Sequence, residues 1–136
     1  MPEWFITFVT HPATLVMFGG GVGANARYWL GQFVAPYQTA RFPWATFAIN
    51  VSGSLVLGFL AALFRKHPDA SVRLWYVLLG TGFCGGFTTF STFSLETLEL
   101  MQEGRPWVAA GYVLGSVAAG VFGVWLALKL LGARLV

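Results

Sequence analysis

The polar and apolar positions of this chain fall into blocks. Charged side chains punctuate the sequence at near-regular intervals, and residues 4–26, 42–64, 74–95 and 106–128 contain no Asp, Glu, Lys or Arg. Each block exceeds the roughly 20 helical residues needed to cross a hydrocarbon core about 30 Å thick. The pattern predicts an all-α membrane protein with four transmembrane helices, near 13–35, 44–64, 74–95 and 107–131, in one domain covering 1–136. The connections 36–43, 65–73 and 96–106 are too short for a soluble domain and force successive helices to run antiparallel. Trp4, Trp44, Trp75, Tyr76 and Trp107 stand near block ends, where amphipathic rings suit the headgroup boundary. Pro43 and Pro106 sit at helix starts, where a missing N–H costs little.

Composition excludes the alternatives. Charged residues make up 10% of the chain, against about 25% in a soluble domain, while 57% is hydrophobic and the mean hydropathy is +0.70. Too few charges remain to cover a water-facing surface. Thirteen Phe and six Trp are the opposite of a disordered composition, and the single Cys84 rules out a disulfide framework. A cleaved signal peptide ending near Ala24, Asn25 and Ala26 is disfavoured, because no positive charge precedes the apolar run and Gly19, Gly20 and Gly21 would weaken it. The net charge of +3 comes from Lys and Arg scattered over loops and helix ends, without the basic cluster that a nucleic acid would need. Arg65, Lys66, Arg73, Lys129 and Arg134 share the side of the termini, against Arg41 and Arg105 on the other, so the termini are expected in the cytoplasm.

Small residues recur at helical spacing: Gly111, Gly115, Ala119 and Gly123 in the fourth block, Gly19 and Gly23 in the first, Ser54 and Gly58 in the second. Such rows let helix backbones approach closely in lipid, where packing replaces the hydrophobic effect. Four helices packed this way leave little lumen. A solute pathway is therefore expected between subunits or along a subunit surface, in an oligomer.

The third block is not an ordinary helix. Gly85 and Gly86 mark a weak point at mid-block, and five hydroxyl residues crowd between Thr88 and Ser94. A helix broken in hydrocarbon frees backbone groups that can bind ions; a continuous helix whose hydroxyls bond back to their own carbonyls is the other reading. The local pattern admits both. Phe83, Phe87, Phe90 and Phe93 would share one face wherever the segment is helical. They are interleaved with hydroxyls, and the positive edge of an aromatic ring can receive an anion. Asn50 and Arg27 are further intramembrane polar groups, and Tyr112, Ser116 and Gly120 form a second row in the fourth block. No Asp, Glu or Lys lies deep in any predicted span, and His11 and His67 are near the ends. Proton-coupled transport generally needs a titratable group in the membrane. Without one, and without a nucleophile–base pair, metal cluster or phosphate loop, passive conduction is favoured over pumping or enzymatic catalysis.

Three strings carry a family resemblance. Gly19, Gly20, Gly23, Ala24 and Arg27 in the first block, Asn50 with Gly53 in the second, and Gly85, Gly86, Thr88, Thr89, Phe90, Ser91, Thr92 and Phe93 in the third resemble the Fluc/CrcB fluoride channels. The likeness extends over essentially the whole chain. It implies passive export of fluoride from the cytoplasm through a multi-pass protein of the bacterial inner membrane. It also implies an antiparallel, dual-topology homodimer enclosing two pathways, with a structural sodium ion at the dimer centre. By motif position, the sodium carbonyls fall on Gly85 and Thr88, and the anion pathway on Asn50, Phe90, Ser91, Thr92 and Phe93. Its fourth-helix track falls on Tyr112 and Ser116, and its vestibule arginine on Arg27. Two departures stand out: Gly120 occupies a place where some members carry a hydroxyl, and the basic bias is larger than dual topology would suggest. The rivals are a small multidrug-type transporter, which would require a membrane-embedded carboxylate, and a non-conducting assembly subunit, which would tolerate Leu and Ala in place of the Thr/Ser/Phe run.

Overall fold

The structure is a computed structural model that describes residues 2–37 and 42–133. Arg41 and Arg134, counted above for orientation, lie outside the described residues.

The first apolar block folds as two helices, α1 (Glu3–Thr10) and α2 (Pro12–Val34), bent by 54° at His11. Pro12 cannot supply the N–H that a continuous helix needs. His11 is extended and its Nδ1 accepts from the Ala13 N–H at 3.3 Å, so the break is capped. A 3₁₀ turn, Ala35–Tyr37, follows α2, and the second block is α3 (Trp44–Lys66). The third block begins as α4 (Ala70–Trp75), widens into a π-helical stretch (Tyr76–Cys84) and closes with one α-turn, α5 (Gly85–Phe87). After a break come α6 (Phe90–Gln102) and α7 (Pro106–Leu130). There is no strand among the described residues. Two helices, α3 and α7, are long and apolar enough to cross a membrane, and α1 with α2 makes a third if the bent pair is one span. The chain is a helical membrane protein.

Two features of the third block differ from expectation. The sequence puts the weak point at Gly85 and Gly86, yet both are helical, and the chain is extended at Thr88 (φ −81°, ψ 160°) and Thr89 (φ −149°, ψ 118°). Gly86 is glycine for another reason: a β-carbon there would collide with the backbone of Gly20. The second difference is length, because α6 runs past the expected end at Leu95 to Gln102. It stops where Gly104 takes φ +73° and the Arg105 N–H returns to the Leu100 carbonyl at 3.0 Å; Gly132, at φ +62°, ends α7 in the same manner.

Packing is closest where glycines meet backbone. A β-carbon at Gly19 would strike the Leu78 carbonyl, and one at Gly23 the Phe83 carbonyl, so α2 lies directly on the π-helical stretch. Gly58 does the same for α3 against Val124 and Ala127 of α7. The predicted small-residue row of α7 faces α3 over part of its length: a β-carbon at Gly115 would lie 3.9 Å from Phe47 and one at Gly123 3.6 Å from Leu55, whereas one at Gly111 would meet nothing within 4 Å. At the other end, Leu100, Ala109 and Tyr112 form a core with Phe42, Phe47 and Phe93. Much apolar surface faces outward, including Trp107 (88% exposed), Phe90 (80%) and Leu114 (70%). Patches of this extent belong against lipid or another protein chain.

Candidate functional site

The break after α5 organises the site, and one side chain from another helix makes it possible. Asn50, two turns into α3, accepts the Thr89 N–H on Oδ1 at 2.8 Å and donates from Nδ2 to the Thr89 carbonyl at 3.1 Å. Its amide therefore takes up the N–H that the break frees and adds a second donor at the Thr89 carbonyl, which as N-cap also accepts within α6. Thr89 then caps α6: its Oγ1 accepts the Thr92 N–H at 3.2 Å and donates to the Thr92 hydroxyl at 3.0 Å. The Ser91 hydroxyl lies 3.2 Å from the same oxygen. Thr88 turns inward instead, its N–H and hydroxyl both reaching the Cys84 carbonyl, at 3.0 and 2.9 Å.

These bonds change the state of two carbonyls. In an unbroken helix the Gly85 and Thr88 carbonyls would accept from the Thr89 and Thr92 N–H groups. Those donors are held by Asn50 and by the Thr89 hydroxyl. Gly85 and Thr88 line a groove of about 470 Å³ on the side of the chain, shared with Asn50, Ser54, Thr81 and Phe90. On the α2 side, the Arg27 Nε–H donates to the Gly86 carbonyl at 3.1 Å, so the intramembrane arginine braces the turn before the break.

The four phenylalanines do not form the single stripe expected. The break divides them into Phe83 and Phe87, stacked at 5.5 Å, and Phe90 and Phe93, at 5.9 Å. A β-carbon at Gly53 would press on the Phe87 ring, whereas Phe90 stands at the groove and Phe93 packs on Tyr112 at 4.9 Å.

Glu96 takes a place that its position in the sequence does not reveal. The charge pattern puts it in the connection 96–106, which leaves no carboxylate inside the bundle. In the structure it lies on the inner face of α6, accepting from Thr46 at 2.8 Å and from the fully buried Tyr112 hydroxyl at 2.7 Å. The correction has a local cause: α6 continues, and Phe93, Glu96 and Leu100 follow one another on its buried side at helical spacing. That spacing was the available signal. Ser116 is separate from this cluster. It lines a second groove of about 500 Å³ with Ser54, Gly120 and Trp125, and its Oγ is buried with no hydrogen-bond partner. The structure therefore gathers Asn50, Gly85, Thr88 and Phe90 at one groove and joins Phe93 to Tyr112 and Glu96. Ser116 stands at the other groove, with Ser54 common to both.

Apolar helices, one of them broken, with neutral amide, hydroxyl and carbonyl groups collected at the break, define a helical membrane protein with a polar, uncharged groove among its apolar helices. The family described as CrcB-like protein, Camphor Resistance (CrcB), matches residues 14–128, and the chain belongs to it. A relative in Novosphingobium aromaticivorans is 50% identical over 119 residues, covering 85% of this chain and 92% of its own. Others occur in Paramagnetospirillum magneticum (46% over 114 residues, 82% and 88% covered) and Acidobacterium capsulatum (41% over 121 residues, 89% and 95% covered). All three are called fluoride-specific ion channel FluC.

Proposed function

We propose that this protein is a fluoride-selective ion channel that lets fluoride leave the cytoplasm passively and so limits its toxicity. The observation that carries the reading is the kinship with fluoride channels over most of the chain, at 41–50% identity in the relatives above. The family is one of channels, so the chain is not an enzyme. The anion route runs past Asn50, Phe90, Ser91, Thr92, Phe93, Tyr112 and Ser116. Hydroxyl and amide hydrogens and phenylalanine edges replace water around fluoride without a fixed positive charge that would trap it. Near Glu96, a passing anion competes with the carboxylate for the Thr46 and Tyr112 hydroxyl donors. The unpartnered Ser116 hydroxyl offers another neutral donor.

The working form in this reading is an antiparallel homodimer of four-span subunits in the bacterial inner membrane. Support comes from the groove of about 470 Å³, which one copy leaves open on its side. The carbonyls of Gly85 and Thr88 fit a hard monovalent cation, being neutral oxygen donors whose helical partners are diverted. A sodium ion held there by both copies would lower the cost of the broken helix and raise the local potential for an anion.

A multidrug-type transporter is not favoured, although the structure does supply a carboxylate within the bundle. Glu96 is tied to two hydroxyl groups, and the relatives named above are channels.

The test is an efflux assay. Purified protein in liposomes is expected to pass fluoride much faster than chloride without a proton gradient, and less well when purified without sodium. Equal efflux of both anions, or none of either, would sink the channel reading. Unchanged efflux from sodium-free protein would remove the cation from it.

A further inference from the structure

We propose that α1 is an interfacial helix, lying in the boundary between headgroups and acyl chains with Trp4, Phe5, Phe8 and Val9 turned toward the lipid. It precedes the residues matched by the family, 14–128, so membership does not account for it.

Depth is the first argument. Gly23 is the midpoint of α2 and packs on Phe83 and Phe87, beside the break. Pro12 lies about 16 Å from it along the axis at 1.5 Å per residue, just beyond the half-thickness of about 15 Å of a hydrocarbon core. At 1.5 Å per residue the 23 residues of α2 give it the length to cross the core without α1, and α1 then begins where the headgroups do. The 54° bend then tips α1 away from the line of α2.

Pattern is the second. Glu3, Thr7 and Thr10 recur on one face of α1 at steps of four and three, and Trp4, Phe5, Phe8 and Val9 occupy the opposite face. Nothing in α1 is buried. The Thr7 and Thr10 hydroxyls donate to the Glu3 and Ile6 carbonyls at 3.0 and 2.8 Å, which lowers their need for water. This division of faces, with a tryptophan among the apolar residues, is what an in-plane helix requires.

The surroundings point to lipid as the occupant. Val9 and Thr10 at the end of α1 border a hollow with Leu74, Trp75 and Leu78. Tyr76, Gly80, Thr81 and Cys84 of the same segment line the groove assigned above to a second copy. The first set belongs to the side covered by α2, where Gly19 meets Leu78, so α1 sits away from that groove. Met17, Phe18 and Val22 on the first half of α2 are exposed apolar side chains as well. Lys66, Arg73 and Lys129 stand at the same end of the bundle, suited to lipid phosphates.

Spin labels on Thr7→Cys and Phe8→Cys in liposomes test this, with the unsubstituted chain, whose Cys84 is buried, as the labelling blank. The Phe8→Cys label is expected to collide severalfold more with oxygen than with a water-soluble nickel chelate, and the Thr7→Cys label to show the reverse. Chelate access at both positions would place α1 in water. Oxygen access at both would make it part of the span, and protection from both reagents would mean protein contact; each result overturns the proposal. The inference rests on the membrane reading of α2 and not on the ion carried. Fluoride efflux from the same vesicles therefore tests the two separately.

Discussion

Replacing Asn50 by leucine removes the groups that make the break in the third block tolerable. The side chains are of similar size, so little cavity is created, and the cost lies in hydrogen bonds. Two are lost, at 3.1 and 2.8 Å, both to the backbone of Thr89. Each bond contributes about 1 kcal/mol net, and leaving a buried donor or acceptor unpaired costs about 1–3 kcal/mol. Hydrogen bonds inside membranes measure nearer 0.6 kcal/mol on average, and Thr89 is only part-buried beside an open groove. The lower part of the range applies, about 2–3 kcal/mol in all. Reversible unfolding of the reconstituted chain measures this loss, with fluoride efflux recorded on the same protein and expected to fall. Asn50→Asp keeps the acceptor for the Thr89 N–H but sets an oxygen against the Thr89 carbonyl, so it should be at least as damaging. A leucine variant within about 0.5 kcal/mol of the parent, the usual scatter of a neutral surface change, would refute the reasoning. Loss of efflux with unchanged stability would move Asn50 from bracing the backbone to handling the ion.

Two further outcomes follow from the site. Phe93→Ile should slow fluoride efflux while the assembly persists, since the ring packs on Tyr112 but the position is only half-buried; unchanged flux would take Phe93 out of the pathway. A C-terminal tag in cells should be labelled from both sides of the membrane, and one-sided labelling would contradict the dual-topology assembly.

Much of the site was legible as residue types but not as partnerships. Asn50, Thr88 and Phe90 were singled out because polar and aromatic groups in an apolar block are conspicuous, and the structure brings them to one groove. The clamp of Asn50 on Thr89 was not readable, because its two members are 39 residues apart. Glu96 was missed for a related reason. A charge at the edge of an apolar block looks like a boundary until Thr46 and Tyr112 are seen to hold it.

By itself, the sequence determined the apolar helical blocks, because a bilayer imposes a minimum length that each charge interrupts. It also determined the family strings, since these are local runs of residue types. Tertiary structure decided where the third block breaks, why Gly86 is glycine, which carbonyls are released and that the first block is two helices. Each of these depends on contacts between elements: the backbone of Gly20 against Gly86, the amide of Asn50 against Thr89, and the direction in which the chain leaves His11. A break inside a membrane exists only where a neighbouring helix supplies the missing hydrogen bonds, and a single helix carries no record of its neighbour.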